Sequence, residues 1–236
     1  MTTKAVFFDL DGTLLPMDLD VFTRCYFKLV FAELAPLGMR PEEILSLFGD
    51  GIDGMLKNDG TKTNREAFWA RVNGRCDKEK AAAMEARMNA FYADGFRKTA
   101  VTCRYDPRAR IAVETAKKKG FLTVLATNPV FPAVATETRM GFVGLSPRDF
   151  CHVTAYENSR YCKPDPRYYR EITDHLGLDP ADCVMVGNDT ADDLAAAGIG
   201  MRVFILTDCI IDAGGVDISA VPHGDFNDLI AFIGSL

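Results

Sequence analysis

The chain has 236 residues, 48% of them hydrophobic and 25% charged, which suits one α/β domain or a core domain with an inserted subdomain. Its formal net charge of −6 at pH 7 disfavours nucleic acid and anionic membrane surfaces as partners, because the overall field repels polyanions. Its apolar runs are also shorter than a membrane span requires. We therefore expect no nucleic acid and no membrane among its partners.

Five short apolar runs predict β-strands. They are rich in Val, Phe, Ile and Leu without clean alternation, which is typical of strands covered on both faces of a parallel sheet. Helical patterns at 106–120, 164–178 and 190–200 accompany them, and a last helix is predicted at 225–236. From about residue 100 onward, strand and helix thus alternate as in a doubly wound α/β domain. The five runs are 4–10, 121–127, 152–156, 182–188 and 202–207.

Residues 16–98 interrupt this alternation with four successive helical patterns. These patterns contain few β-branched residues and are separated by Gly, Pro and an Asn-Asp-Gly turn. An all-helical block that follows the first strand of an α/β sheet is typical of an insertion. We therefore predict an α/β core formed by residues 1–15 and 99–236, with residues 16–98 as an inserted α-helical cap.

The cysteines and histidines predict neither disulfides nor zinc. The seven cysteines are odd in number and form no C-x-x-C pair, and several lie in apolar runs, as reduced core thiols do. The three histidines have no ligand-like spacing to them. Since the sequence also runs directly into a strand without a long apolar leader, we expect a cytoplasmic protein, either a monomer or a homodimer.

The first predicted strand ends in two carboxylates, Asp9 and Asp11, followed by Gly12 and Thr13. Asp-Gly is common turn chemistry and would explain Asp11 alone. It does not explain Asp9, because a carboxylate at the end of a buried strand is costly unless it is paired or bound to a metal.

Polar residues also follow the next three predicted strands. Thr127 and Asn128 end the second, Lys163 follows the third, and Asp189 follows the fourth with Asp193 four residues later. Each has an ordinary explanation as a loop start, a solvated lysine or a helix cap. Because ligands bind outside the carboxyl ends of the strands in open α/β sheets, their joint occurrence predicts one functional site.

These residue types fit phosphoryl transfer through a covalent intermediate. Clustered carboxylates suit Mg²⁺, a hard cation that commonly bridges protein oxygens and substrate phosphate. We expect Asp9 to be the nucleophile that forms an aspartyl phosphate, and Asp11 to be the general acid and then the general base. Thr127 and Lys163 would bind the phosphoryl oxygens and stabilise their charge in the transition state.

Four segments of the chain resemble the motifs of the haloacid dehalogenase-like hydrolase superfamily, and the helical block resembles its C1-type cap. The segments are D9-L-D-G-T13, T127-N128, K163-P-D-P and G187-N-D189-T-A-D-D193. The resemblance implies a Rossmann-like core and Mg²⁺ held by the Asp9 side chain, the Asp11 carbonyl and Asp189, with Asp193 nearby or acting through water. It also implies a phosphate-binding set consisting of Gly12, Thr13, Thr127, Asn128 and Lys163.

One motif departs from the common family pattern. Many members have an aspartate directly after the glycine of the fourth motif, whereas here Asn188 follows Gly187. The spacing favours Asp189 and Asp193 as the family's two acids, and Asp192 remains an alternative to Asp193.

Phosphatase activity on a small phosphorylated metabolite is the leading prediction. Asp11 favours oxygen-linked phosphate esters, because an alkoxide leaving group needs a proton. A phosphomutase resembling β-phosphoglucomutase shares these motifs, and a non-catalytic phosphometabolite-binding protein is an alternative from another class. A dinucleotide-dependent oxidoreductase is disfavoured because no G-x-G-x-x-G follows the first strand. Among cap residues, Trp69 fits core packing better than substrate contact.

Overall fold

A computed structural model describes residues 3–236 and contains one six-stranded, all-parallel sheet. Its strands are β1 (Ala5–Phe8), β2 (Leu122–Leu125), β3 (His152–Val153), β4 (Cys183–Gly187), β5 (Arg202–Leu206) and β6 (His223–Gly224). They lie in the order β3-β2-β1-β4-β5-β6, so the chain reverses direction across the sheet between β1 and β4. Open α/β sheets bind their ligands at such a reversal point. The predicted doubly wound parallel sheet is confirmed; residues 1 and 2 of the predicted core lie outside the described residues.

Eight α-helices accompany the sheet within the described part of the chain. Their starts carry expected signals, such as the capping box between Thr63 and Glu66 and the Asp106-Pro107 pair. In residues 3–236, no helix is both long and apolar enough to cross a membrane. The helices are α1 (Leu19–Leu34), α2 (Pro41–Leu56), α3 (Asn64–Asn73), α4 (Lys78–Ala93), α5 (Pro107–Lys118), α6 (Ala133–Phe142), α7 (Pro166–Leu176) and α8 (Phe226–Ser235).

The central strand β1 is buried on both faces. Val6 and Phe8 belong to a large hydrophobic cluster, whereas Ala5 and Phe7 belong to a smaller cluster on the opposite face of the sheet. This arrangement explains why β1 shows no alternation of polar and apolar residues. The two residues that follow β1, Asp9 and Leu10, are buried as well.

Helices α1–α4 follow β1 in the chain, and no strand of the sheet lies between them. The two chain segments that join them to the sheet lie side by side, since Met17 pairs with Cys103 and the Arg104 amide donates to the Pro16 carbonyl at 2.8 Å. The larger hydrophobic cluster runs without a break from the sheet into these helices. The division into a core and a cap at residues 16–98 stays a prediction.

Two local predictions differ from the structure. The α-helix predicted over 190–200 is wrong, because only Leu194–Ile199 forms a short 3₁₀ helix. There the Asp189 side chain accepts the amides of Ala191 and Asp192, which replaces a regular first helical turn. The third strand is shorter than predicted, because the Ala155 amide turns to the Asn158 side chain at 2.8 Å.

Candidate active site

Three charged side chains meet inside the protein next to the end of β1. The Lys163 ammonium lies 2.9 Å from Asp9 Oδ1 and 2.7 Å from Asp193 Oδ1, and all three side chains are almost fully buried. They come from chain segments after β1, before α7 and after β4, which the sheet brings together. Sequence-predicted residues therefore form one buried cluster with two carboxylates and one cation.

Burial and the neighbouring charges shift the ionisation of this cluster. Desolvation raises the pKa of Asp9 to about 7, with Lys163 opposing the rise and the Asp193 and Asp11 carboxylates adding to it. Burial alone would lower the pKa of Lys163, but the Asp193 and Asp9 carboxylates outweigh burial and raise it well above its usual value. The lysine is thus held as a cation, whereas burial disfavours the charged form of Asp9.

Asp11 is paired with a residue that the sequence did not single out. The Arg139 guanidinium, fully buried in α6, forms an ion pair with Asp11 Oδ2 and lies over the Phe131 ring with 4.5 Å between Cζ and the ring centroid. Burial raises the pKa of Asp11, and Arg139 limits that rise. The other Asp11 oxygen is buried and accepts no hydrogen bond from any described residue.

The turn after β1 is fitted closely to Asn188. Gly12 has φ of +80°, and a Cβ added there would lie 2.4 Å from Asn188 Nδ2, so both backbone conformation and space require glycine. The Thr13 hydroxyl donates to Asn188 Oδ1 at 2.8 Å and lies 3.3 Å from Asp9 Oδ2. The residue that departs from the family pattern therefore positions the first motif.

Thr127 and Asn128 reach the same edge of the sheet from β2. The Thr127 carbonyl accepts hydroxyl hydrogen bonds from Thr154 at 2.7 Å and from Tyr168 at 2.8 Å, which fix the chain at this point. Asn128 Nδ2 donates to Asp192 Oδ2 at 3.2 Å. Burial raises the pKa of Asp192 to about 6.

Within the fourth motif, Asp193 is hydrogen-bonded to the backbone of Asp189. Asp193 Oδ2 accepts the Asp189 amide at 3.0 Å while its other oxygen holds Lys163, so protein donors engage both oxygens. Asp189 itself is only half-buried. Across residues 3–236, no group of three or more His, Cys, Asp or Glu side chains is arranged around one metal position.

Comparison with known proteins identifies the family. A model of the haloacid dehalogenase-like hydrolases matches residues 3–200. The chain belongs to the haloacid dehalogenase-like hydrolases. Over 206 residues it is 26% identical to a phosphoglycolate phosphatase of Nitrosospira multiformis, covering 85% of this chain and 82% of that relative. The predicted family and enzyme class, a haloacid dehalogenase-like phosphatase, are confirmed.

Solved structures share the fold along the whole chain. A 2-haloacid dehalogenase of Pseudomonas syringae pv. tomato has a TM-score of 0.66 at 20% identity, with 99% of each chain covered. CbbY of Rhodobacter sphaeroides, solved in complex with phosphate, has a TM-score of 0.59 at 20% identity, covering 97% of this chain and 96% of that one. Since a dehalogenase and a phosphatase are both among the solved structures with this fold, the site residues must decide the substrate class.

Proposed function

We propose that the protein is a Mg²⁺-dependent phosphatase that hydrolyses a small phosphomonoester through an aspartyl phosphate on Asp9. The observation that supports this most directly is the buried cluster of Asp9, Lys163 and Asp193, with Asp11 two residues beyond Asp9. The phosphatase named among the relatives and the phosphate bound by CbbY agree with this chemistry.

In the proposed first step, Asp9 attacks the phosphorus of the ester. Lys163 holds Oδ1 of Asp9 at 2.9 Å, which leaves Oδ2 as the attacking oxygen, since its nearest donor, Thr13, lies 3.3 Å away. The new bond joins Asp9 to phosphorus, the bond from phosphorus to the ester oxygen breaks, and Asp11 gives that oxygen a proton. Lys163 and Thr127 stabilise the charge on the phosphoryl oxygens.

In the proposed second step, water attacks the aspartyl phosphate. Asp11, now ionised, takes a proton from the water as the bond between phosphorus and Asp9 breaks. Inorganic phosphate leaves, and Asp9 and Asp11 return to their starting states. Arg139 positions Asp11 for both steps through their ion pair.

The donor chemistry of the site fits Mg²⁺. The Asp9 and Asp189 carboxylates and the Asp11 carbonyl follow the neighbouring strands β1 and β4, and all are hard oxygen donors. When bound, the ion supplies positive charge that offsets repulsion between these carboxylates and a phosphate dianion. Because protein donors occupy both Asp193 oxygens, we assign Asp193 to holding Lys163 and the Asp189 loop.

We further propose that residues 16–98 act as a cap over this site. The pairing of Met17 with Cys103 supports a hinge, because both connections to the helices lie side by side at one place. A cap of this kind favours a small phosphorylated metabolite over a phosphoprotein.

Phosphate release from a panel of small phosphomonoesters tests this proposal. Wild-type protein with Mg²⁺ should release phosphate, and Asp9→Asn should lower kcat by at least about a thousandfold, because the nucleophile is lost. Asp174→Asn, at an exposed helix position, is the matched control and should keep wild-type activity. Isomerisation of β-glucose 1-phosphate faster than phosphate release would instead establish a mutase, and binding without turnover would establish a non-catalytic protein.

A further inference from the structure

A partly enclosed cavity of about 220 Å³ lies between helices α1–α4 and the loop after β2, and Asp11 is one of its lining residues. Nine of the fifteen lining residues are aromatic. None of those fifteen, all within residues 3–236, is Lys, Arg or His. The cavity thus adjoins the proposed acid of the reaction but offers no cation to a ligand.

Apart from Asp11, the polar groups of this cavity are few and uncharged. The Tyr26 and Tyr92 hydroxyls hydrogen-bond to each other at 2.6 Å. The Trp69 side chain is 8% exposed, and its buried indole N–H lies beside the Tyr156 hydroxyl without forming a hydrogen bond of full geometry to any described residue. An uncharged ligand with one acceptor oxygen would satisfy that N–H, because buried donors are normally hydrogen-bonded.

An anionic leaving group is disfavoured here on two grounds. Burial raises the pKa of Tyr26 and of Tyr92, which shows that the surroundings oppose negative charge. Two cations lie close to the cavity's lining residues, and both are already paired: Arg139 is fully buried and pairs with Asp11, and Arg65, beside Tyr156, pairs with Glu85. The second cavity that Asp11 lines is open, and there Asp18 and Asp20 accompany Arg104.

We propose that the substrate is the phosphomonoester of an uncharged, mainly apolar alcohol about one aromatic ring in size, whose alcohol part occupies this aromatic cavity. The inference rests on the proposed phosphatase function and names its substrate class. A cavity of roughly 150 Å³ accommodates benzene, so 220 Å³ suffices for a phenyl ring with a short linker. Phosphoglycolate, the substrate in the name of the Nitrosospira relative, carries a carboxylate and does not match this cavity.

A comparison of 2-phenylethyl phosphate with phosphoglycolate tests the proposal. Both are esters of primary alcohols, and kcat/KM for the phenylethyl ester should be higher by about tenfold or more, as expected for apolar contacts in a fitted pocket. Thr23→Arg places a cation at an exposed lining position and should reverse the preference toward phosphoglycolate. Val21→Arg adds the same charge to α1 at an exposed position outside the cavity, so it should leave the ratio unchanged.

Trp69 provides a second readout, because it is the only tryptophan in the chain and it lines the cavity. In the Asp9→Asn protein, adding 2-phenylethyl phosphate should change the fluorescence of Trp69 until the signal saturates. The concentration needed should be lower than for phosphoglycolate. Hydrolysis of phosphoglycolate at an equal or higher kcat/KM would overturn the substrate class and leave the phosphatase proposal standing. If no ester is hydrolysed, the phosphatase proposal fails, and tighter fluorescence-detected binding of the phenylethyl ester decides whether the cavity preference holds.

Discussion

Replacing the nucleophile should make the metal-free protein more stable. The cluster buries two carboxylates with a single ammonium, so Asp9→Asn removes the unbalanced charge while keeping an oxygen that accepts from Lys163. A carboxyl whose pKa is higher in the folded state lowers stability once the pH exceeds its unfolded value. Wild-type stability should therefore fall, relative to the variant, as the pH rises from about 4 to about 7.

The size of this stability difference follows from the pKa shift of Asp9. The pKa of Asp9 rises from 3.8 to about 7, and one unit corresponds to about 1.4 kcal/mol. At pH 8 the free energy of unfolding should be higher for Asp9→Asn by up to about 4 kcal/mol. Most of this difference in the free energy of unfolding develops above pH 5, so the advantage of the variant should grow by about 2–3 kcal/mol between pH 5 and pH 8.

Urea unfolding in EDTA, followed by fluorescence of the single tryptophan, measures the difference. Asp174→Asn removes an exposed carboxylate and should show no such pH dependence. Mg²⁺ should then stabilise the wild type more than Asp9→Asn, since it supplies the missing positive charge. Equal stability of wild type and variant at pH 8, or an advantage that does not change with pH, would refute this account of the cluster.

Three further changes test the surroundings of the site. Arg139→Met should lower the free energy of unfolding by about 3–5 kcal/mol in urea titrations, because it leaves the mostly buried Asp11 carboxylate unpaired, and the double variant with Asp11→Asn should recover part of the loss. Asn64→Ala should cost about 1–3 kcal/mol in the same assay, since the Asn64 side chain bonds to the loop before α7. Gly12→Ala should lower kcat/KM at least about tenfold in phosphate-release assays, because its Cβ would collide with Asn188 and tilt the catalytic turn.

The residues at the strand ends were predictable from the sequence because geometry alone brings them together. Parallel strands end at one edge, so Asp9 and Asp193, which follow β1 and β4, were expected close together. Lys163 reaches them through the loop between β3 and α7. Their exact pairing was not predictable: both oxygens of Asp193 face protein donors, which the four-residue spacing from Asp189 does not reveal.

Arg139 and Asn188 show what sequence patterns miss. Arg139 lies in an ordinary helical stretch, and its main charged partner, Asp11, is 128 residues away in the chain, so the sequence around Arg139 does not reveal why it is buried. Asn188 looked like a departure from a motif, but its amide fills the space that Gly12 leaves. The helix predicted over 190–200 failed for a related reason, since the Asp189 side chain competes for the backbone amides that a helix would use.

The central position of β1 has a consequence for biosynthesis. Its two neighbours in the sheet are β2, which begins at Leu122, and β4, which begins at Cys183. At about 5–20 residues per second, a ribosome needs roughly 6 to 20 s to make the chain between β1 and β2. During that interval a fully apolar strand has no partner strand, while helices α1–α4, which lie between β1 and β2, are being made. Substitutions that make β1 more prone to aggregate should therefore reduce the yield of folded protein made in cells, even where the purified enzyme is as stable as the wild type.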